Sequence, residues 1–393
     1  MAVATTLETI PNPDLVVVED DKPNWNLPKT RRRGFHNLYQ VGRYGMSIRA
    51  PNILPLSDAI DRRIETLPSV RCLTTTNIFS AMVVVQNQAV LFEAYAPDFD
   101  RNQPHSIQSI SKTAMNLIIG RLVEEGSVEL NQTVDQYIPE IGSGYARATV
   151  QQVLDMNVMN NFNEDYEDSY TSDPRPGATM GYNRQEISMG WRLPPAGEPE
   201  FSCRDFVAAL ISDDVSNPTE DMQYRSPNTD VLGWIAERVT GQSLRDLLID
   251  VVEGAGIEGV YHMSTDRDGV PVVSGGACMT ARDLARYGLL FARLGLGVNG
   301  EAVGSAGFLQ ETRNDRGTHV TETHDWVRYS NQTYTNGRWL GHPGFAGQFL
   351  MADPDSCTAV AFFSVLETQH AQDDDYSAEI VRMAEDVVAL YSA

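Results

Sequence analysis

Lysine is nearly missing from this chain. Its 393 residues hold three, Lys22, Lys29 and Lys112, against 27 arginines, the 30 basic residues less three. The first two lie in a polar N-terminal segment, which leaves Lys112 as the one lysine of the presumptive globular body. Cysteine is scarce as well. Cys72, Cys203, Cys278 and Cys357 are far apart and form no C-x-x-C pair, so neither a thiolate metal site nor a disulfide framework is expected, and the four read as free thiols. No stretch approaches the ~20 consecutive apolar residues of a membrane helix. The N-terminus M-A-V-A-T-T-L-E-T-I-P has no basic region ahead of an apolar run, which argues against a secretory signal and makes the cytoplasm the expected location. Basic charge falls far short of acidic, for a net charge of −23, and this excludes nucleic acid and anionic membrane as natural partners. The seven histidines contain no H-E-x-x-H, and the acidic cluster Glu164, Asp165, Glu167, Asp168 lacks the glycine of a calcium loop. Neither a metal nor another cofactor is expected.

What remains is a chain with 42% hydrophobic residues, ample for a large core. Residues 1–30, rich in proline and polar side chains, read as a loosely held arm, and the basic run Lys29 to Arg33 as a solvated turn. Leu56 to Leu67 has the spacing of an amphipathic helix capped by Ser57 or Asp58. Ser80 to Tyr95 reads as a hairpin turning at Gln86-Asn87-Gln88. From Val150 to about Gly256 the text becomes helical, with runs at Val150–Met156 and Phe206–Ile211 and a strong amphipathic helix at Thr229–Thr240 that stops at Gly241. Asn160 to Pro199 is a long Asn/Asp/Gly/Pro-rich connection, expected to cover a site. A further helix starts at Thr280, strands return at Gln348–Ala352 and Thr358–Leu366, and Ala378–Tyr391 is the last helix. The expected architecture is α/β, in the α+β sense, with a helical lobe. It divides into the arm 1–30, an α/β domain of residues 31–150 and 257–393, and a helical lobe of residues 151–256 carrying cap loops. A site is expected between the lobes.

The chemistry concentrates in H-S-I-Q-S-I-S-K-T-A-M-N-L-I-I-G-R-L-V-E-E-G, residues 105–126. Ser109 and Lys112 are three apart and share a face on a helix whose remaining positions, Met115, Leu117, Ile118, Leu122 and Val123, are apolar. A serine hydroxyl becomes a nucleophile when a neighbouring base takes its proton. A lysine is such a base when burial holds it partly neutral, and helix-start N–H groups can hold an oxyanion. Two further pieces follow. Q-Y-R-S-P-N places Tyr224 in a loop before the Thr229 helix, where a tyrosine near a lysine can shuttle a proton. G-H-P-G-F-A-G-Q, residues 341–348, carries three glycines of the kind that allow close backbone approach, with His342 as a candidate substrate contact.

In this order, S-x-x-K, loop tyrosine and H-x-G on a late strand, the chain resembles the serine β-lactamase-like family. The resemblance is strongest to its 6-aminohexanoate-dimer (nylon oligomer) hydrolases, through V-L-D-M, N-E-D-Y, S-x-N-T-D-V-L-x-W-I-x-E-R-V-T-G and G-G-A-C-M-T-A-R-D-L-A-R. It implies a central antiparallel sheet flanked by helices plus an all-helical lobe. Ser109 would be the acylated nucleophile, with Lys112 and Tyr224 as base and proton relay. The backbone N–H groups of Ser109 and Phe345 would form the oxyanion hole. Tyr166, in N-E-D-Y, matches the tyrosine that bonds the substrate amide in the nylon-oligomer enzymes, and Ser274 matches a substrate-tuning position. The implied partner is a small-molecule amide or ester, and a homodimer is compatible with the family.

The chain departs from the wider family at Ser226, where the Y-x-N motif has asparagine, and at the K-T-G lysine, which it lacks. Both departures argue against β-lactam or D,D-peptide substrates, while H-P-G is closer to the family's esterases. The resulting expectation is hydrolysis of a linear amide through a Ser109 acyl-enzyme. The competing reading is a carboxylesterase with weak amidase activity.

Overall fold

The computed structural model describes residues 24–164, 166, 180–219, 221–314, 317–320 and 326–392. Most of the expected arm, with Lys22, and residues 165 and 167–179 of the Asn/Asp-rich connection, with Asp165, Glu167 and Asp168, lie outside the described residues.

A nine-stranded sheet forms the frame among the described residues. Its centre is made of Gln348–Asp353, Thr358–Ser364, Phe79–Gln86 and Ala89–Tyr95, all paired antiparallel. The text of these strands is nearly all apolar, and the sheet is covered on both faces. Period-two alternation decides which side chain goes where. Ala81, Val83 and Val85, with Ala359, Ala361 and Phe363, point to one apolar cluster. Met82 and Val84, with Val360 and Phe362, point to the other. Helix Asp374–Ala389 covers the second face with Ile380, Met383, Ala384, Val387 and Val388, at helical spacing. On the first face lies helix Ala281–Ala292, which Thr280 caps by accepting from the Asp283 N–H. A Cβ at Gly288 would stand 2.8 Å from the Leu350 side chain and 3.0 Å from the Ala359 Cβ, so glycine is what lets this helix lie close on the sheet.

The largely buried helix Ala114–Glu124 packs against helices Ala306–Arg313, Pro227–Thr240 and Leu244–Ala255. Beyond it, the first apolar cluster continues without a break into Val150, Phe206, Leu232 and Leu248 of the helical segment. Helix Pro227–Thr240 ends, as its sequence predicts, at Gly241 with φ 68°. The hairpin turns at Asn87, φ 54°. A small four-stranded sheet, Gly45–Ile48, Tyr261–Ser264, Ala277–Met279 and His105–Ser106, leads the chain into the Ser109 segment.

Three sequence expectations change. Ser57–Asp58 is not a helix cap but a two-residue strand parallel to Ala89–Val90, and the helix starts later, at Arg62–Thr66, capped by Asp61. The basic run is not a solvated turn. Arg31 opens helix Arg31–His36, is fully buried, and donates to the Leu366 and Thr368 carbonyls at 2.8 and 2.7 Å. Within residues 24–30, expected as the end of a loose arm, Trp25 is buried against Phe35 and Trp191, while Asn24 and Lys29 are exposed. Buried cation and indole together outweigh the polarity that suggested a solvated stretch.

Candidate active site

Ser109 and Lys112 lie on a 3₁₀ segment, Gln108–Thr113, that precedes the α-helix rather than forming its first turn. The difference matters to the chemistry, because side chains three apart eclipse on a 3₁₀ turn and are offset on an α-helix. The Lys112 Nζ accordingly stands 3.1 Å from the Ser109 Oγ. The segment is entered through Gln108 at φ 48°, a left-handed conformation that costs a non-glycine residue about 1–3 kcal/mol. The Gln108 side chain offsets part of that cost by donating to the Ser106 Oγ at 2.7 Å.

Lys112 is fully buried. Besides Ser109, its ammonium reaches the Ser226 Oγ at 2.9 Å and the Ser274 carbonyl. Burial pushes its pKa down from 10.5 to about 8, against the opposing pull of the Glu164 and Asp230 carboxylates. Tyr224 approaches from the loop before Pro227–Thr240. That loop is pinned by Gln223 N–H to the Met156 carbonyl and by Met222 N–H to the His319 carbonyl, at 2.7 and 2.6 Å. Lys112 Nζ lies 5.1 Å from the Tyr224 ring centroid, and Ser109 is near enough to the Tyr224 hydroxyl to act on its pKa. Burial, with Tyr329, Glu164 and Tyr334 nearby, raises the Tyr224 pKa well above its usual value, so this hydroxyl keeps its proton at neutral pH.

Strand Leu340–Gly344 brings the third piece, and here the glycines serve a close approach of backbone to backbone. A Cβ on Gly344 would come within 2.7 Å of the Ile107 carbonyl and one on Gly341 within 2.2 Å of the Leu350 carbonyl. Phe345 follows in the turn to Gln348–Asp353. Ser109, Tyr224, Tyr166, Glu164 and Phe345 all line one cavity of about 400 Å³, whose far wall is formed by Trp326, Tyr334 and the start of helix Asp374–Ala389. Tyr166 packs at 4.7 Å from Phe345 and 4.8 Å from Tyr182, ring centre to ring centre.

The two other sequence candidates stand behind the cavity wall. His342 is fully buried; its Nδ1 donates to the Pro343 carbonyl at 2.6 Å, and burial lowers its pKa to about 3. The neutral ring sits beneath Tyr224 and against Tyr329 and Tyr334. Ser274 is 3% exposed, and it is the backbone carbonyl that meets Lys112, while the hydroxyl donates to Asp230 Oδ2 at 3.2 Å. Burial pushes the Asp230 carboxyl up to about 7.

Sequence reasoning missed Glu164. Its Oε1 accepts from the Ser226 hydroxyl at 2.6 Å and from the Tyr166 hydroxyl at 2.7 Å, and its Oε2 from the Ser226 N–H. In the sequence it is one of four acids in a polar stretch, and nothing marks it except its place two residues before Tyr166. Among the described residues, no cluster of His, Cys, Asp or Glu could hold a metal ion, and no helix is long and apolar enough to cross a membrane.

A sheet covered by helices, with a serine and a buried lysine meeting at the mouth of a helical segment, is the frame of the serine amidases and esterases built on the β-lactamase-like fold. The chain belongs to the β-lactamase family, whose sequence pattern matches residues 78–382. It is 31% identical over 323 residues to a 6-aminohexanoate-dimer hydrolase of Paenarthrobacter ureafaciens, a match covering 78% of this chain and 77% of that one. Its fold is shared with a Bacillus anthracis protein provisionally described as a 6-aminohexanoate-dimer hydrolase, at a TM-score of 0.77 and 22% identity over 96% of this chain and 98% of that one. A D-stereospecific amidohydrolase from Streptomyces sp. has the same fold at a TM-score of 0.58 and 14% identity, over 81% of this chain and 98% of its own.

Proposed function

We propose that the protein hydrolyses a linear amide through an acyl-enzyme on Ser109. The observation that carries the reading is the fully buried Lys112 amine, 3.1 Å from the Ser109 hydroxyl that opens to the cavity. Neutral Lys112 takes the Ser109 proton as Oγ bonds to the substrate carbonyl carbon. The oxyanion that forms is held by the backbone N–H groups of Ser109 and Phe345. The proton passes from Lys112, by way of the Tyr224 hydroxyl, to the departing nitrogen as the C–N bond breaks, and an amine leaves. Water then adds to the acyl carbon, giving one proton back to Ser109 as the C–O bond breaks and the acid departs. In this scheme Ser274 and His342 serve from behind, the first through its carbonyl on Lys112 and the second as the floor under Tyr224. The cytoplasm, a homodimer and the division into an α/β domain and a helical lobe belong to the same reading.

Acid-quenched mass spectrometry tests it. With an activated ester and with a p-nitroanilide or oligoamide, an acyl increment is expected on the peptide that carries Ser109. Turnover of both substrates with no increment at Ser109 would remove the covalent step.

One observation favours the second reading, a carboxylesterase. The Tyr166 hydroxyl, matched to the group that bonds a leaving amide nitrogen, is here committed to Glu164 at 2.7 Å. If it turns to substrate, Tyr166→Phe lowers amide kcat/KM by about 10- to 100-fold, the loss of one hydrogen bond to a developing charge, and leaves ester turnover within about twofold. Equal losses on amide and ester would place the protein with the esterases, which gain nothing from a donor to nitrogen.

A further inference from the structure

The amine of Lys112 has three hydrogen-bonding neighbours, Ser109, Ser226 and Ser274, and as an ammonium it donates to all three. As a base it must be neutral, with two N–H bonds and one lone pair, and the direction of that lone pair decides whether it can receive a proton from Ser109. The Ser274 neighbour is a carbonyl oxygen, which carries no hydrogen and only accepts. A serine hydroxyl could do either. At Ser226, however, the hydroxyl hydrogen is committed to Glu164 Oε1 at 2.6 Å, and the other carboxylate oxygen holds the Ser226 N–H. Ser226 can therefore only accept from Lys112, at 2.9 Å. Both N–H bonds of the neutral amine are thereby used, and the lone pair is left facing Ser109.

From this geometry we infer that Glu164 is a positioning residue: by fixing Ser226 as an acceptor, it directs the Lys112 lone pair at the Ser109 hydroxyl. The inference rests on the acyl-enzyme reading and adds a residue to it. The three donors on Glu164, the Ser226 N–H, the Ser226 hydroxyl and the Tyr166 hydroxyl, hold the carboxylate in place. The departure from asparagine to Ser226 then has a function, since a serine with a carboxylate behind it has a defined donor direction. The other groups around the amine are the Asp230 carboxyl beyond Ser274, the Tyr224 ring at 5.1 Å and the neutral His342. None of them touches the Ser226 hydroxyl among the described residues.

Glu164→Gln is nearly the same shape but presents an NH₂ that can donate to Ser226, freeing the Ser226 hydroxyl to turn its hydrogen onto the Lys112 lone pair. The expected result is a fall in kcat of about 10- to 100-fold, a fraction of what general-base catalysis supplies, with KM changed little. Loss of the carboxylate also removes a charge that favours the ammonium, so the acid limb of kcat/KM moves to lower pH. Ser226→Ala alone, and the double variant Glu164→Gln/Ser226→Ala, complete the cycle. Because Glu164 acts through Ser226, the double variant is expected to lose no more than Ser226→Ala.

Multiplying losses, an unmoved acid limb, or a rise in KM with kcat intact would each overturn the inference, the last by making Glu164 a substrate contact. An activated ester that labels Ser109 is used throughout. Failure of wild type to be labelled would count against the acyl-enzyme itself, whereas normal labelling with an unmoved limb counts against Glu164 alone.

Discussion

Replacing Ser109 by alanine is expected to lower kcat by about 10⁴-fold or more for amide and ester alike, the scale seen when a nucleophile that acts as a unit with its base is removed. The magnitude follows from how the serines nearest Ser109 and Lys112 are held. The Ser226 hydroxyl is tied to Glu164 and Lys112 and is 5% exposed. That of Ser274 points to Asp230, and that of Ser111 is buried and donates to the Gln108 carbonyl at 2.6 Å. None can reach a substrate in the cavity. Folding is expected to survive, because Ser109 is only partly buried and the one hydrogen bond of its hydroxyl among the described residues is with Lys112. Steady-state kinetics beside a thermal melt checks both halves. A variant that retains more than about 1% of wild-type kcat, far above what a nucleophile deletion leaves, would show that water or another group attacks the substrate directly.

How much of this was legible in the text differs from residue to residue. Lys112 stood out by rarity, and its apolar neighbours announced its burial. Ser109 was legible as its partner, but the 3₁₀ turn that eclipses the two side chains was not, because nothing in S-I-S-K distinguishes i→i+3 from i→i+4 hydrogen bonding. The central strands were plain because both faces are buried and their runs are apolar throughout. The strands that complete the sheet, Thr318–His319, Arg328–Ser330 and Thr333–Thr335, are short and polar and are specified by pairing with their neighbours. Arg31 and Glu164 share one reason for having been passed over. Each is a charge whose meaning lies in a partner distant in sequence, Leu366 for the arginine and Ser226 for the glutamate. A charge in a polar stretch reads as solvated until the fold supplies what it touches.

Lys112→Arg tests the base without removing the charge. A guanidinium keeps donors for Ser226 and the Ser274 carbonyl but is never deprotonated at working pH, so it has no lone pair to give Ser109. The loss in kcat is expected to be about 10³- to 10⁴-fold, at the upper end of what general-base catalysis supplies, because the site also closes tightly around a fully buried side chain that arginine overfills. Lys112→Met, which fills the space without the amine, should fall equally far. If methionine were much less damaging than arginine, crowding rather than lost basicity would account for the arginine result.

The pH dependence carries the sign. Only the neutral amine is competent, and its pKa is pushed down to about 8, so wild-type kcat/KM rises with pH through that value and levels off above it. At pH 7 roughly a tenth of the enzyme holds the neutral form, one unit below the pKa, and each further unit of acid costs about tenfold. Tyr224 would give the opposite history if it were the base. Its pKa lies well above 10, so the rise would continue into alkaline solution. An acid limb near 8 in wild type that vanishes in the residual activity of Lys112→Arg assigns the base to Lys112, and a limb that survives the substitution unchanged would take that role away from it.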